Sequence, residues 1–388
     1  MCTIKLPVGV IENLDRIRKQ CLWRGNDRSK KGGNLAAWPM VMKPKIKGGL
    51  GVLNLGMQND ALLVKQLNKF YNKRDIPWVH LIWSKYYSNG KVPHGTKECG
   101  SFWWKDLLRL SMLYRGVAKC QIGDGSSVLF WEDRWANEVL ALKYPCLFSF
   151  VRNPRIMVKS VIEADDLYSL FTLPLSEQAY NQLQNLHLDL LSVPYNEAQE
   201  DRWVFMWGPD YSSQKFYSLS FKNLSTPHTF TWLWKSKCIP RIKFFGWLLF
   251  VDRLNTRSML RRRHFHLDNG YTCVMCNLGR EEDIFHLFFD CPFAQACWTT
   301  LQIDWPRDTD TQRKIILARN ANAHLFFMEI FLLASWEIWK LRSDKIFNQG
   351  SPSTNRWLYN FKNQVHLHLV RVKESFHQQI VQWIDSFV

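Results

Sequence analysis

Two cysteines two residues apart, Cys273 and Cys276, are followed by His286 and then by Cys291. Three thiols and one imidazole at this spacing are the ligand set of a tetrahedral zinc knuckle, in which protein fills all four positions and none is left for water or substrate. The spacing predicts a structural Zn2+ that ties a loop to the helices after it. Glu281-Glu282-Asp283 predicts the acidic first turn of a helix carrying His286, and Cys291-Pro292 the start of the next. Two other readings compete: a buried histidine among incidental thiols, and a redox Cys-x-x-Cys pair, which would need a βαβ setting that the flanks lack. The remaining cysteines are expected as small buried apolar residues in a reduced, non-secreted chain.

With 388 residues the chain is long enough for two or three units, each with its own core. Its net charge of +17 is concentrated: residues 1–50 hold 11 lysines and arginines against 3 acidic residues, and residues 235–263 hold 9 against 1. Concentrated basic segments favour a polyanionic partner, RNA or DNA before an anionic membrane, although a solvated basic face would carry the same charge. The opening Met1-Cys2-Thr3-Ile4-Lys5-Leu6-Pro7 lacks the apolar core of a signal peptide. The longest apolar runs, Ile242 to Val251 and Leu325 to Trp336, fall short of about 18 continuous residues and contain Lys243 and Glu329. An intracellular chain, nuclear or cytoplasmic, with no membrane partner is expected.

Helical spacing recurs over residues 10–24, 58–71 and 76–87, and again after Pro240, where Ile242, Phe245, Leu248 and Leu249 share a stripe. Asn255-Thr256 predicts a cap for a short helix that runs into Arg261-Arg262-Arg263, and residues 313–347 and 356–385 predict two long helices. A basic loop with Arg28, Lys30 and Lys31 separates the first two helical segments. β-hairpins are expected at Gln121 to Trp131, around Gly123-Asp124-Gly125, and at Arg202 to Leu219, around Gly208-Pro209-Asp210. Residues 136–200 show no strong period. The fold class expected is mainly α with small β-hairpins, its helical segments arranged around a Cys3His knuckle.

The run Trp232-Leu233-Trp234-Lys235, Ile239 through Leu249, Arg253-Leu254-Asn255-Thr256-Arg257, the four candidate ligands, Leu287-Phe288-Phe289-Asp290 and Trp298 resembles the zinc-binding domain that follows the reverse transcriptase of plant non-LTR (LINE-type) retrotransposons. Ile122 to Ser127 with Phe130-Trp131-Glu132-Asp133-Arg134-Trp135 is similar to the linker region of such polyproteins. Cys21-Leu22-Trp23-Arg24-Gly25 and Gly48-Gly49-Leu50-Gly51-Val52 resemble the segment after the polymerase palm. The resemblance implies a C-terminal piece in four parts: 1–90 after the palm, 91–225 linker-like with two hairpins, 226–300 the zinc-binding domain, and 301–388 helical. The palm and endonuclease of such elements would lie upstream.

Catalysis is not expected. Glu163-Ala164-Asp165-Asp166 lacks the aromatic residue that precedes a polymerase's paired aspartates and reads as an acidic turn, while Glu132 and Asp133 are adjacent and would face apart on a strand. Gly48 to Gly51 lacks the Lys-Ser/Thr of a phosphate loop. The reading is a non-catalytic module in which Arg241, Lys243, Arg253, Arg257, Arg261, Arg262 and Arg263 meet the phosphates of single-stranded or nicked RNA or DNA, with exposed aromatics stacking on bases. Most of the 19 tryptophans are nevertheless expected in the core. The alternatives are a scaffold whose basic faces meet an acidic protein partner, and a retroelement remnant with no selected role.

Overall fold

The computed structural model describes residues 3–25, 33–87, 100–191, 193–307, 309–322 and 326–387; the basic loop at Arg28, Lys30 and Lys31 lies outside the described residues. Among the described residues the chain is mainly helical with one small antiparallel sheet, in agreement with the expected class. Among the described residues, no helix is long and apolar enough to cross a membrane. Two units are formed, residues 1–18 with 54–222 and residues 19–53 with 223–388.

The first unit is organised by the helix Leu55–Tyr71, whose N-terminus is capped by the Asn54 side chain accepting the Met57 amide at 3.1 Å. Ala61, Val64, Leu67, Phe70 and Tyr71 are buried on it. The β-prone runs meet each other instead of folding as separate hairpins. Strand β1, Ala118–Gln121, pairs antiparallel with β2, Arg202–Phe205, with Ala118 opposite Phe205 and Gln121 opposite Arg202.

The reason lies just ahead of β2. Asp201 is buried, and its carboxylate accepts the amides of Gly123 at 2.9 Å, Gly125 at 3.0 Å and Ser127 at 2.8 Å, together with the Ser127 hydroxyl at 2.8 Å. The Gly-Asp-Gly loop therefore wraps a carboxylate rather than reversing a strand, and this holds β1 beside β2. Close approach demands the first glycine: a Cβ on Gly123 would lie 2.2 Å from the Gln199 carbonyl oxygen. Phe216, Tyr217 and Leu219 belong to a helix, Ser213–Leu219, which Ser212 caps through the Lys215 amide. A helix also fills part of the stretch without a strong period: Glu177–Leu191, opened by Ser176, buries Ala179, Leu183 and Leu186. Deeper in the unit, Arg115 forms a buried ion pair with Asp133 and lies against the rings of Tyr71 and Trp203, 5.1 and 5.3 Å from their centroids.

The second unit is built on the helices Pro240–Phe250 and Phe327–Asn348. Gly246 permits their close approach, since a Cβ there would lie 2.4 Å from Leu332 Cδ2. Trp247, Trp298 and Trp357 are fully buried, and each donates its indole N–H to a backbone carbonyl, of Gly48, Phe288 and Ala334 respectively. The two long helices expected near the C-terminus are each divided. Thr311–Ala321 ends where the extended Asn322 folds its side chain back on the Ala318 carbonyl, before Phe327–Asn348 begins. Thr354–Leu369 is followed by His377–Asp385. Of the cysteines outside the knuckle, Cys120, Cys238 and Cys297 are buried as expected, but Cys21 is exposed on the helix Val8–Arg24, among whose residues none is buried.

Replacing Asp201 with alanine strands several buried donors at once. The variant should lose about 3 kcal/mol of stability, measured as a lower urea midpoint; an unchanged midpoint would remove the carboxylate from its organising role.

Candidate metal centre

Cys273, Cys276, His286 and Cys291 converge, with one ligand-type atom from each lying within 4.8 Å of the others. The Cys273 and Cys291 sulfurs are 4.0 Å apart, and Cys276 Sγ is 3.2 Å from His286 Nε2. Metal–sulfur bonds of about 2.3 Å in a tetrahedron put sulfurs about 3.8 Å apart, so the four residues fit zinc in number, chemistry and spacing.

Local structure places each one. The amide of Cys273 donates to the Arg280 carbonyl at 2.8 Å, and Gly279, at φ +66°, makes the turn that brings Arg280 back. The Met275 amide donates to Cys273 Sγ at 3.4 Å, which supports negative charge on that sulfur. His286 opens a π-helical turn, His286–Asp290, and its amide is capped by Asp283 Oδ1 at 2.7 Å. Cys291 stands at the head of the helix Pro292–Thr300. Its thiol is brought down to about 6, first by the hydrogen bond with Cys273, with the amides of Phe293 and Ala294 helping and burial opposing. Cys273 moves the other way, upward, because it keeps the shared proton and is buried.

The three acidic residues before His286 divide their work. Asp283 caps the turn. Glu281 pairs with Thr272 in an isolated antiparallel bridge and with Arg261 at 2.9 Å. Glu282 is fully buried, so it is not an exposed partner of the helix dipole: its Oε1 accepts from Arg342 Nη2 at 2.6 Å, Arg342 Nε at 3.1 Å and the backbone amide of Arg257 at 3.0 Å. Its own carbonyl accepts the Ser258 amide at 3.0 Å. The knuckle is thereby bolted to the first turn of the arginine-bearing helix, Arg257–Arg262, which Thr256 caps. Spacing along the chain gives no signal for Arg342, 60 residues away from its partner.

The basic residues separate into groups. Arg257 reaches under the knuckle and donates to the carbonyls of Asn269, Gly270 and Thr272 at 3.1, 3.2 and 3.2 Å. Arg261 lies over Tyr271, 5.7 Å from the ring centroid, besides pairing with Glu281. Arg253, Arg262 and Arg263 come together around one cleft. Arg241 and Lys243 belong to the helix Pro240–Phe250: Arg241 is exposed with its guanidinium 5.2 Å from the Trp336 centroid, and Lys243 donates to the Trp234 carbonyl at 3.0 Å. Burial pushes the Lys243 ammonium down. The carboxylates weighed against catalysis are placed apart: Glu163, Asp165 and Asp166 are exposed, with Asp166 capping the turn at Tyr168, while Glu132 is exposed and Asp133 is buried on Arg115.

Residues 211–298 match the family model described as zinc-binding in reverse transcriptase. The chain is 26% identical over 384 residues to an Arabidopsis thaliana protein named "Putative ribonuclease H protein", which covers 92% of this chain; the chain spans 59% of that relative. It is 31% identical over 118 residues to an uncharacterized mitochondrial protein of Arabidopsis thaliana, covering 29% of this chain and 75% of the relative.

Loss of one ligand opens the shell. Cys276→Ala and His286→Ala should each take the purified chain from stoichiometric zinc to little or none after washing with chelator, read by metal emission analysis, whereas Cys297→Ala should keep its zinc. Full retention by the first two variants would dismiss these residues as ligands.

Proposed function

The chain belongs to the retrotransposon-related family of the Arabidopsis mitochondrial protein just described, and on that premise we propose that it is a non-catalytic, zinc-braced module that binds single-stranded or nicked RNA or DNA, derived from the region after the polymerase of a LINE-type element. The observation that carries this reading is the joint between the knuckle and the arginine-bearing helix. Glu282 accepts the Arg257 amide, and the Arg257 side chain grips three knuckle carbonyls. Zinc held by Cys273, Cys276, His286 and Cys291 would supply a cross-link between the loop, the π turn and the next helix, with no open position for substrate. Whatever fixes the knuckle also fixes the arginines.

Three thiolates and one Zn2+ sum to a negative site, so attraction for phosphates falls to the arginines and lysines around it. Phe265, 55% exposed just after Arg261-Arg262-Arg263, offers a ring on which an unpaired base stacks. The lack of a catalytic role is supported by the engagement of the carboxylates: Asp133 serves Arg115, Asp201 serves the glycine loop and Glu282 serves Arg342. The ribonuclease activity named for one relative is the competing reading.

Anisotropy with a labelled single strand tests both. Binding by the zinc-loaded chain should weaken at least tenfold between about 50 and 200 mM salt. Reversing Arg261, Arg262 and Arg263 to glutamate should abolish it, and stripping the zinc should weaken it. Binding that ignores salt and charge reversal would sink the proposal, as would magnesium-dependent cleavage of the RNA strand of an RNA–DNA hybrid.

A further inference from the structure

Within the basic surface, three guanidinium groups stand apart from the rest by where they point. Arg253, Arg262 and Arg263 line a cleft of about 420 Å³ whose opposite wall is the segment Asn34 to Ala37. Each is oriented by one or two contacts. Arg253 Nη1 donates to the Asp252 carbonyl at 2.8 Å. Arg263 is held by Asn255 Oδ1 at 3.1 Å and the Leu35 carbonyl at 2.6 Å. Arg262 pairs with Asp252 at 2.7 Å.

That leaves three positive groups around one concavity; Arg262 is held charged by Asp252 first and, from farther off, by Asp283 and Glu281, whereas Arg263 has no carboxylate of its own. The Arg263 guanidinium is pushed below its ordinary value by burial and then by the positive charges of Arg253 and Arg262. A tetrahedral dianion or a phosphodiester relieves that repulsion, and planar guanidinium forks are suited to phosphate oxygens. By contrast Arg257 is committed to three backbone carbonyls, and Arg261 to Glu281 and Tyr271.

Resting on the nucleic-acid reading above, we propose that the cleft between Arg253, Arg262, Arg263 and the Asn34–Ala37 segment is a seat for one phosphate group, supplied by the backbone of a bound strand. Arg253 and Arg262 grip the phosphate from the open side. Arg263 is a positioning residue at its base, joined to the opposite wall through the Leu35 carbonyl. Asp252 competes with the phosphate for Arg262 and sets the strength of the site.

The test uses the zinc-loaded full chain with a labelled single strand, and separately with inorganic phosphate read as a rise in melting temperature. Arg253→Gln and Arg262→Gln should each weaken strand binding about three- to tenfold and lower the slope of log affinity against log salt by about 0.7. Arg155→Gln, at an exposed position of the first unit outside the basic surface, should bind as the parent does. Asp252→Asn should bind more tightly than the parent, and asparagine tolerates the φ of +51° at that position, so this variant keeps the test decisive even if an arginine variant folds poorly. If the parent binds the strand and all three cleft variants match it, the seat is refuted while the nucleic-acid reading stands. If the strand does not bind but phosphate stabilises the parent and not Arg253→Gln, the seat stands as a site for free phosphate and the nucleic-acid reading falls. If neither ligand binds, both fall.

Discussion

A carboxylate with no access to water needs a positive partner, and Glu282 has one in Arg342. The pair is buried on both sides, where leaving either member alone would cost several kcal/mol, on the order of 3–5. Its geometry reaches further than its own stability. Oε1 of Glu282 also takes the first amide of the arginine-bearing helix, so one oxygen joins the long helix Phe327–Asn348, the knuckle and the helix Arg257–Arg262. The metal ligands and the basic surface are arranged about this point, and a charged partner so deep in the unit allows little choice of alternative packing.

The first unit uses the same economy of charge. Arg115 lies against two aromatic rings and is neutralised by Asp133, which also accepts the Leu129 amide at 2.7 Å. Only part of the pair is hydrogen-bonded, since Arg115 Nε and Nη2 and Asp133 Oδ1 are buried without a hydrogen-bond partner, and cation–π contact with Tyr71 and Trp203 adds where hydrogen bonds run out. Aromatic density, read from composition as a supply of stacking surfaces, is spent mainly inside: Trp104, Trp131 and Trp203 are fully buried in this unit.

The candidate metal centre was legible because ligand spacing is a local property. Two cysteines separated by two residues can face one ion, and a turn with a glycine helps return the other two ligands. The helices at 55–71 and 240–250 were legible for a related reason, since their apolar stripes repeat within a few residues. What failed is what depends on residues far apart. Nothing near Gly123 announces that Asp201 will occupy its amides, so two hairpins were expected where one shared sheet forms. Nothing near Glu282 announces Arg342. The helix Glu177–Leu191 could have been found from Ser176 and the spacing of Ala179, Leu183 and Leu186, but its apolar face is narrow. The roles of individual arginines were hidden too, because the charge of a side chain does not reveal whether a carbonyl or a phosphate will satisfy it.

The glycine loop at residues 123–127 has the shape of an anion cradle, with backbone amides turned inward, yet its guest is permanent. Asp201 is tethered by the fold, so its effective concentration at the cradle exceeds that of any dissolved phosphate or nucleotide. The chain thus carries a self-liganded loop: a pattern that in another protein would signal nucleotide capture acts here as an internal clasp, closed to competitors for as long as the first unit remains folded.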